Sequence, residues 1–205
     1  MKERPILMSG PMVRAILEGR KTHTRRIIKD ADWKMVFYDD ECDSWCGSNE
    51  ADFMNDPHAK VIPPKHGVPG DRLWVKETHG PCAGGIVYRA DGGTNCPDGG
   101  KWKPSIFMPR WACRITLEIE AVRVERLKDI SEEDVVAEGI VAARCPLCSY
   151  TFADARFHMD HRLCKAPEPP SATLAYRELW ESINGPGSWD NNPWVWVIQF
   201  RRITP

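Results

Sequence analysis

The chain has 205 residues and a formal net charge of −1, so it is not a polycation that coats nucleic acid by bulk charge. Its length supports one good core, or one core with a small appended module. There is no apolar signal core at the N-terminus and no run near the ~20 apolar residues of a membrane span, so the eight cysteines predict thiols or metal ligands in a cytoplasmic protein, not disulfides.

Charge is unevenly placed. Residues 1–29 carry eight Lys/Arg against Glu3 and Glu18, whereas residues 30–56 carry nine Asp/Glu against Lys34. A basic head beside an acidic stretch points to a local anion site. Pro5–Ser9 is a short apolar strand, and Met12–Leu17 a short helix with Pro11 near its start and Gly19 past its end. Gly19 is expected in the left-handed region. The next eight residues, Gly19 to Arg26, hold Arg20, Lys21, Arg25 and Arg26, two hydroxyls (Thr22, Thr24) and His23. If Thr22–Ile28 is extended, Thr22, Thr24 and Arg26 share one face and His23 and Arg25 the other. Such a turn binds an anion, holds a base edge, positions a reactive lysine, or is a solvated cationic bend.

Residues 30–67 show no sustained period of 2 or 3.6 and read as a loop insertion. Pro69-Gly70-Asp71 then turns into a strand over Leu73–Thr78, and Ile86–Asp91 is a second strand. Trp111–Leu127 alternates, with Ile115, Leu117 and Ile119 on one face and Arg114, Thr116, Glu118 and Glu120 on the other, which predicts a half-buried strand. Ser131 caps a short helix with Asp134 at the N3 position, Ile130 is placed to staple onto Val135, and Gly139 stops the helix. Ala172–Ile183 reads as an amphipathic helix and Trp194–Phe200 as the closing strand. Strands broken by two or three short helices predict an α+β fold, a small, partly open β-barrel with helices at its ends. Trp74, Tyr88, Trp111 and His23 are candidates for stacking a base, with Arg72, Arg89 and Arg114 on the backbone. Core packing is the competing role for Trp74, Trp194 and Trp196.

Four motifs occur in order: Gly19-x-Lys21-Thr22-x-Thr24-x-Arg26, Gly70-Asp71-x-Leu73-Trp74-Val75, Ile130-Ser131-x-x-Asp134-x-x-x-Glu138-Gly139, and Trp194–Phe200. Together they resemble the ASCH domain, and the fuller string resembles the larger ASCH proteins of phages and prophages. The likeness covers residues 1–29, 68–140 and 171–203 and implies one PUA-like β-barrel domain linked with RNA binding, in the host cytoplasm if phage-encoded. Some small members are amidohydrolases that remove the acyl group from N4-acetylcytidine. Carried over, their catalytic set is Lys21, Thr24 and Glu138, with Arg20, His23, Arg25, Arg26, Arg72, Trp74 and Tyr88 toward substrate or nucleic acid. The residue types suit this: a threonine hydroxyl needs a neighbouring base, a lysine among cations has its pKa lowered, and a carboxylate can activate water. Non-catalytic RNA binding and a ribonuclease-like role remain open beside it.

Residues 141–170 read as a zinc-finger-like insertion. Cys145-Pro146-Leu147-Cys148, twelve intervening residues, His161 and then Cys164 suit a structural zinc ion, with His158 as the substitute ligand. Tyr150, Thr151 and Phe152 are expected in a short strand and Asp154–Leu163 in a helix. Four protein ligands leave no open position, so this module offers a protein-binding surface as its functional alternative. Cys42, Cys46, Cys82 and Cys96 offer a second metal site with His58 or His79, but their spacing is irregular and free thiols in loops are the preferred reading.

Overall fold

A computed structural model describes residues 1–29, 33–50, 52, 56, 58–92, 96, 100–140, 142–144, 151–153 and 172–203. The elements begin with β1 (Glu3–Leu7), α1 (Gly10–Leu17), β2 (His23–Ile27), β3 (Met35–Asp39), β4 (Ser44–Ser48) and β5 (Lys60–Val61). They continue with β6 (Arg72–Lys76), β7 (His79–Cys82), β8 (Gly85–Tyr88), β9 (Thr116–Arg126) and α2 (Glu132–Ala137). The last are β10 (Ala142–Arg144), β11 (Thr151–Ala153), α3 (Ala172–Asn184) and β12 (Trp194–Ile203). The fold is α+β and rich in strands, and no described helix is long and apolar enough to cross a membrane.

The chain forms two compact units, and β9 and β12 each contribute to both. Unit 1 comprises Met1–Thr22, Pro63–Arg123 and Ile198–Pro205. In it β1 pairs in parallel with β6, from Glu3↔Arg72 to Leu7↔Lys76, and β6 pairs antiparallel with β9 through Leu73↔Leu117. The expected alternation is present: Leu73, Val75, Ile115, Leu117 and Ile119 are buried. On the other face of β9, Glu118 lies 2.9 Å from Arg201. Asp71 ties the start of β6 to the N-terminus, accepting from Lys2 N and Arg4 Nη1, both at 2.6 Å. These bonds hold its carboxyl at about 2, below the ordinary 3.8.

Unit 2 comprises His23–Ile62 and Val124–Val197. Its core gathers Leu127, Ile130, Val135, Ile140, Tyr176, Trp180, Trp189, Val195 and Val197. Ser131 Oγ accepts from Asp134 N at 3.1 Å, the expected cap, and both Ile130 and Val135 join the core. Trp194 and Trp196 are buried, as core packing requires.

The expected loop over 30–67 is corrected. A three-stranded antiparallel sheet, β3-β4-β5, runs from Met35↔Ser48 to Asp39↔Ser44 and on through Cys46↔Val61. No alternation marks β4 in the sequence, because Cys46, Gly47 and Ser48 are buried in succession. Trp33 packs against Gly47, where a Cβ would stand 2.6 Å from the indole, and its carbonyl accepts from Trp194 Nε1 at 2.9 Å. The Trp45 and Trp196 rings meet edge to face at 6.0 Å.

In the expected zinc-finger-like insertion, β10 pairs antiparallel with β11 up to Arg144↔Thr151, which agrees with the strand anticipated there. Cys145, Cys148, His158, His161, Cys164 and the anticipated helix lie outside the described residues.

Candidate functional site

The cationic turn begins as its sequence predicts. Gly19 has φ +75° and, past the helix end, Arg20 N and Lys21 N both donate to Ala15 O, at 2.8 and 3.0 Å. Arg20 is exposed and pairs with Glu18. Lys21 belongs to unit 1 and is 2% exposed, a burial that lysine seldom reaches.

In unit 2, Thr24 and Arg25 are both buried while His23 and Arg26 are half-buried, so each of the two expected faces of β2 carries a buried residue. Arg25, expected among the nucleic-acid contacts, is committed inside the protein. Its guanidinium meets Glu125 through Nε at 2.9 Å, Asp134 through Nη2 at 2.7 Å and Glu138 through Nη1 at 3.3 Å. Burial pulls its pKa down, but Glu138 and Glu125 outweigh that and raise it. For Arg26 burial prevails over the pull of Glu138 and Tyr176, and the pKa falls.

Glu138 owes its position to a short helix. It follows the last residue of α2, and Gly139 at φ +88° turns the chain away. The carboxylate is 5% exposed and also accepts from Tyr176 Oη at 3.4 Å. Burial first, and Glu138 second, push the Tyr176 phenol well above its ordinary range, which keeps it a donor. Arg25, Glu125, Asp134, Glu138 and Tyr176 therefore form a largely enclosed polar cluster, and the charge of Glu138 also reaches Arg26. Sequence reasoning missed Tyr176, because nothing in an amphipathic helix distinguishes one inward phenol.

Unit 1 carries a hollow of about 530 Å³ lined by residues that include His79, Ile86, Lys103, Phe107, Pro109 and Trp111. It arises where the β7–β8 hairpin meets the 101–111 segment, joined by a two-way backbone bridge between His79 and Lys103. Trp111 is 78% exposed and Phe107 70%. Gly80 is required there because a Cβ would run into Cys96 Sγ. The segment from Lys101 to Arg114 holds four cations and no carboxylate. Two are engaged: Arg110 with Glu3 at 3.0 Å, and Arg114 with buried Glu77 at 2.9 Å and Asp91 at 2.7 Å. Lys101 and Lys103 are exposed.

Of the other expected binding residues of unit 1, Arg72, Trp74, Tyr88 and Arg114 are half-buried and Arg89 is exposed. Trp74 has Lys76 Nζ 5.4 Å and Arg110 5.8 Å from its ring, Tyr88 lies under Arg114 at 3.9 Å, and Arg72 Nε is enclosed without a hydrogen-bond partner. Trp111, singled out in the sequence, lies exposed at this hollow; Phe107, between two prolines in sequence, was not singled out.

Among the described residues, one group has the makings of a metal site: Asp39, Cys42 and Cys46, whose ligand atoms lie within 4.8 Å of one another. Two of the cysteines expected to be unrelated loop thiols thus converge, whereas Cys82 and Cys96 belong to the other unit. Burial pushes the Cys46 thiol up to about 11.

No protein-family model, curated protein or solved structure matches this chain.

Proposed function

We propose that the protein binds a nucleobase in single-stranded RNA, or a free modified nucleoside, at the hollow of unit 1. The observation that carries this is the pair of exposed rings, Trp111 and Phe107, beside Lys103 and His79. Large rings held in water gain by meeting a flat apolar partner, and every base offers one. Lys101 and Lys103 supply charge for a phosphate without making the whole molecule basic. The test is affinity for a short labelled RNA as salt is raised. Binding that weakens with a slope worth one or two phosphates supports the proposal, and absence of binding at low salt overturns it.

A second reading is amide hydrolysis of an N4-acylated cytosine. It comes from the ASCH resemblance, which also carries the PUA-like barrel, and it uses Lys21, Thr24 and Glu138. Its support is the chemistry of the three residue types, all polar and all buried, at 2%, 2% and 5% exposure. Thr24 supplies the nucleophile, Lys21 the base and Glu138 the group that orients or activates water. Turnover of N4-acetylcytidine that disappears in Thr24→Val supports it, and no turnover by the unaltered protein removes it. A structural zinc ion on Cys145, Cys148, His161 and Cys164, with a protein partner docking on that module, completes the proposal. It draws on ligand spacing and on the β10–β11 pairing that brackets both first cysteines.

A further inference from the structure

The β3–β4 hairpin ends in an acidic turn containing Asp39, Asp40, Glu41 and Asp43, with two cysteines at and just after it. Residues paired across an antiparallel ladder share a face, so Phe37 and Cys46, and Asp39 and Ser44, alternate along one side of the hairpin. Asp39 and Cys46 therefore lie on the same face, near the turn. Asp43 takes φ +50°, which lets the turn close tightly. Asp39 Oδ1 accepts from Glu41 N at 2.9 Å and Cys42 N at 3.4 Å, while the Cys42 thiol donates to Asp39 O at 3.9 Å. These bonds fold Cys42 back over the face that already carries Asp39 and Cys46. Two sulfurs and a carboxylate oxygen then fall within 4.8 Å of one another.

Ligands around a tetrahedral zinc ion at ~2.3 Å stand roughly 3.8 Å apart, so only a small contraction would close the group on an ion. Turn bonds to Oδ1 leave Oδ2 to coordinate. We propose that Asp39, Cys42 and Cys46 form a second metal site, selective for a thiophilic divalent ion of the zinc class and independent of the Cys145–Cys164 module. Thiolates favour zinc over magnesium or calcium, and the surrounding carboxylates offset the ion's charge. Three protein ligands leave the fourth position to water, so this ion is exchangeable where a four-ligand finger is closed. Cys42 is exposed and Cys46 buried, so the ion enters from the Cys42 side.

The test titrates the reduced full-length chain with Co²⁺, reading thiolate-to-cobalt charge transfer and bound metal per chain. C42S/C46S should lower the bound metal by one equivalent and remove the weaker binding phase. Its melting temperature without metal should stay within a few degrees of the parent. A parallel set in a C145S/C148S/C164S background should keep one equivalent, which C42S/C46S then abolishes. Unchanged stoichiometry on losing Cys42 and Cys46 overturns the proposal, and so does metal uptake without thiolate charge transfer in the second background. If that background fails to fold, the single subtraction in the otherwise intact chain decides.

Discussion

Arg25 and Glu138 stand 113 positions apart in sequence and meet inside unit 2 at 3.3 Å, on a guanidinium with no exposed surface. Glu125 and Asp134 share the same cation, so Arg25 is the counter-charge for three carboxylates. Arg25→Met would leave them facing one another in a poorly solvated site. Urea unfolding should show a loss of roughly 3–5 kcal/mol, the usual cost of stripping one partner from a buried pair. Glu138→Gln should cost less, because Glu125 and Asp134 still neutralise Arg25. A change of under ~0.5 kcal/mol for Arg25→Met would show that water reaches the cluster.

Asp71 sets an acid limit on unit 1. Its folded-state pKa of about 2 lies below the ordinary 3.8, so folding favours the carboxylate. That contribution is complete above the unfolded value and fades as pH falls from 3.8 toward 2. Thermal melts between about pH 5 and pH 2 should show this decline, and Asp71→Asn should lower stability at neutral pH while flattening the acid limb. An unchanged acid limb in Asp71→Asn would assign the sensitivity elsewhere.

Gly47 carries Trp33, and the indole leaves no room for a methyl group. Gly47→Ala should displace Trp33 and weaken its carbonyl's bond from Trp194, at a cost of about 1–3 kcal/mol. Denaturant midpoints test this; unaltered stability would mean that Trp33 moves aside freely.

Local signals in the sequence were accurate where local chemistry decides. The Ser131 cap, the left-handed Gly19, and the alternation in β6 and β9 follow from side-chain bonding and period alone. The β3–β5 sheet was not legible, because Cys46, Gly47 and Ser48 are buried in succession and its anchor, Trp33, precedes it in an acidic stretch. The role of Arg25 was equally hidden: its three carboxylates lie 100 or more residues on, and charge in sequence does not say which cation goes inside. The Phe107–Trp111 hollow needs the His79–Lys103 bridge to exist, a pairing with no local pattern.

Base stacking is the central claim, and Trp111 exposes it to direct test because 78% of the side chain is in water and little folding energy depends on it. Fluorescence anisotropy with a short single-stranded RNA at low salt should show Trp111→Ala binding roughly tenfold to a hundredfold more weakly than the unaltered protein, as loss of ~1–3 kcal/mol of stacking requires, with the same melting temperature. Equal affinities in the two proteins would contradict it.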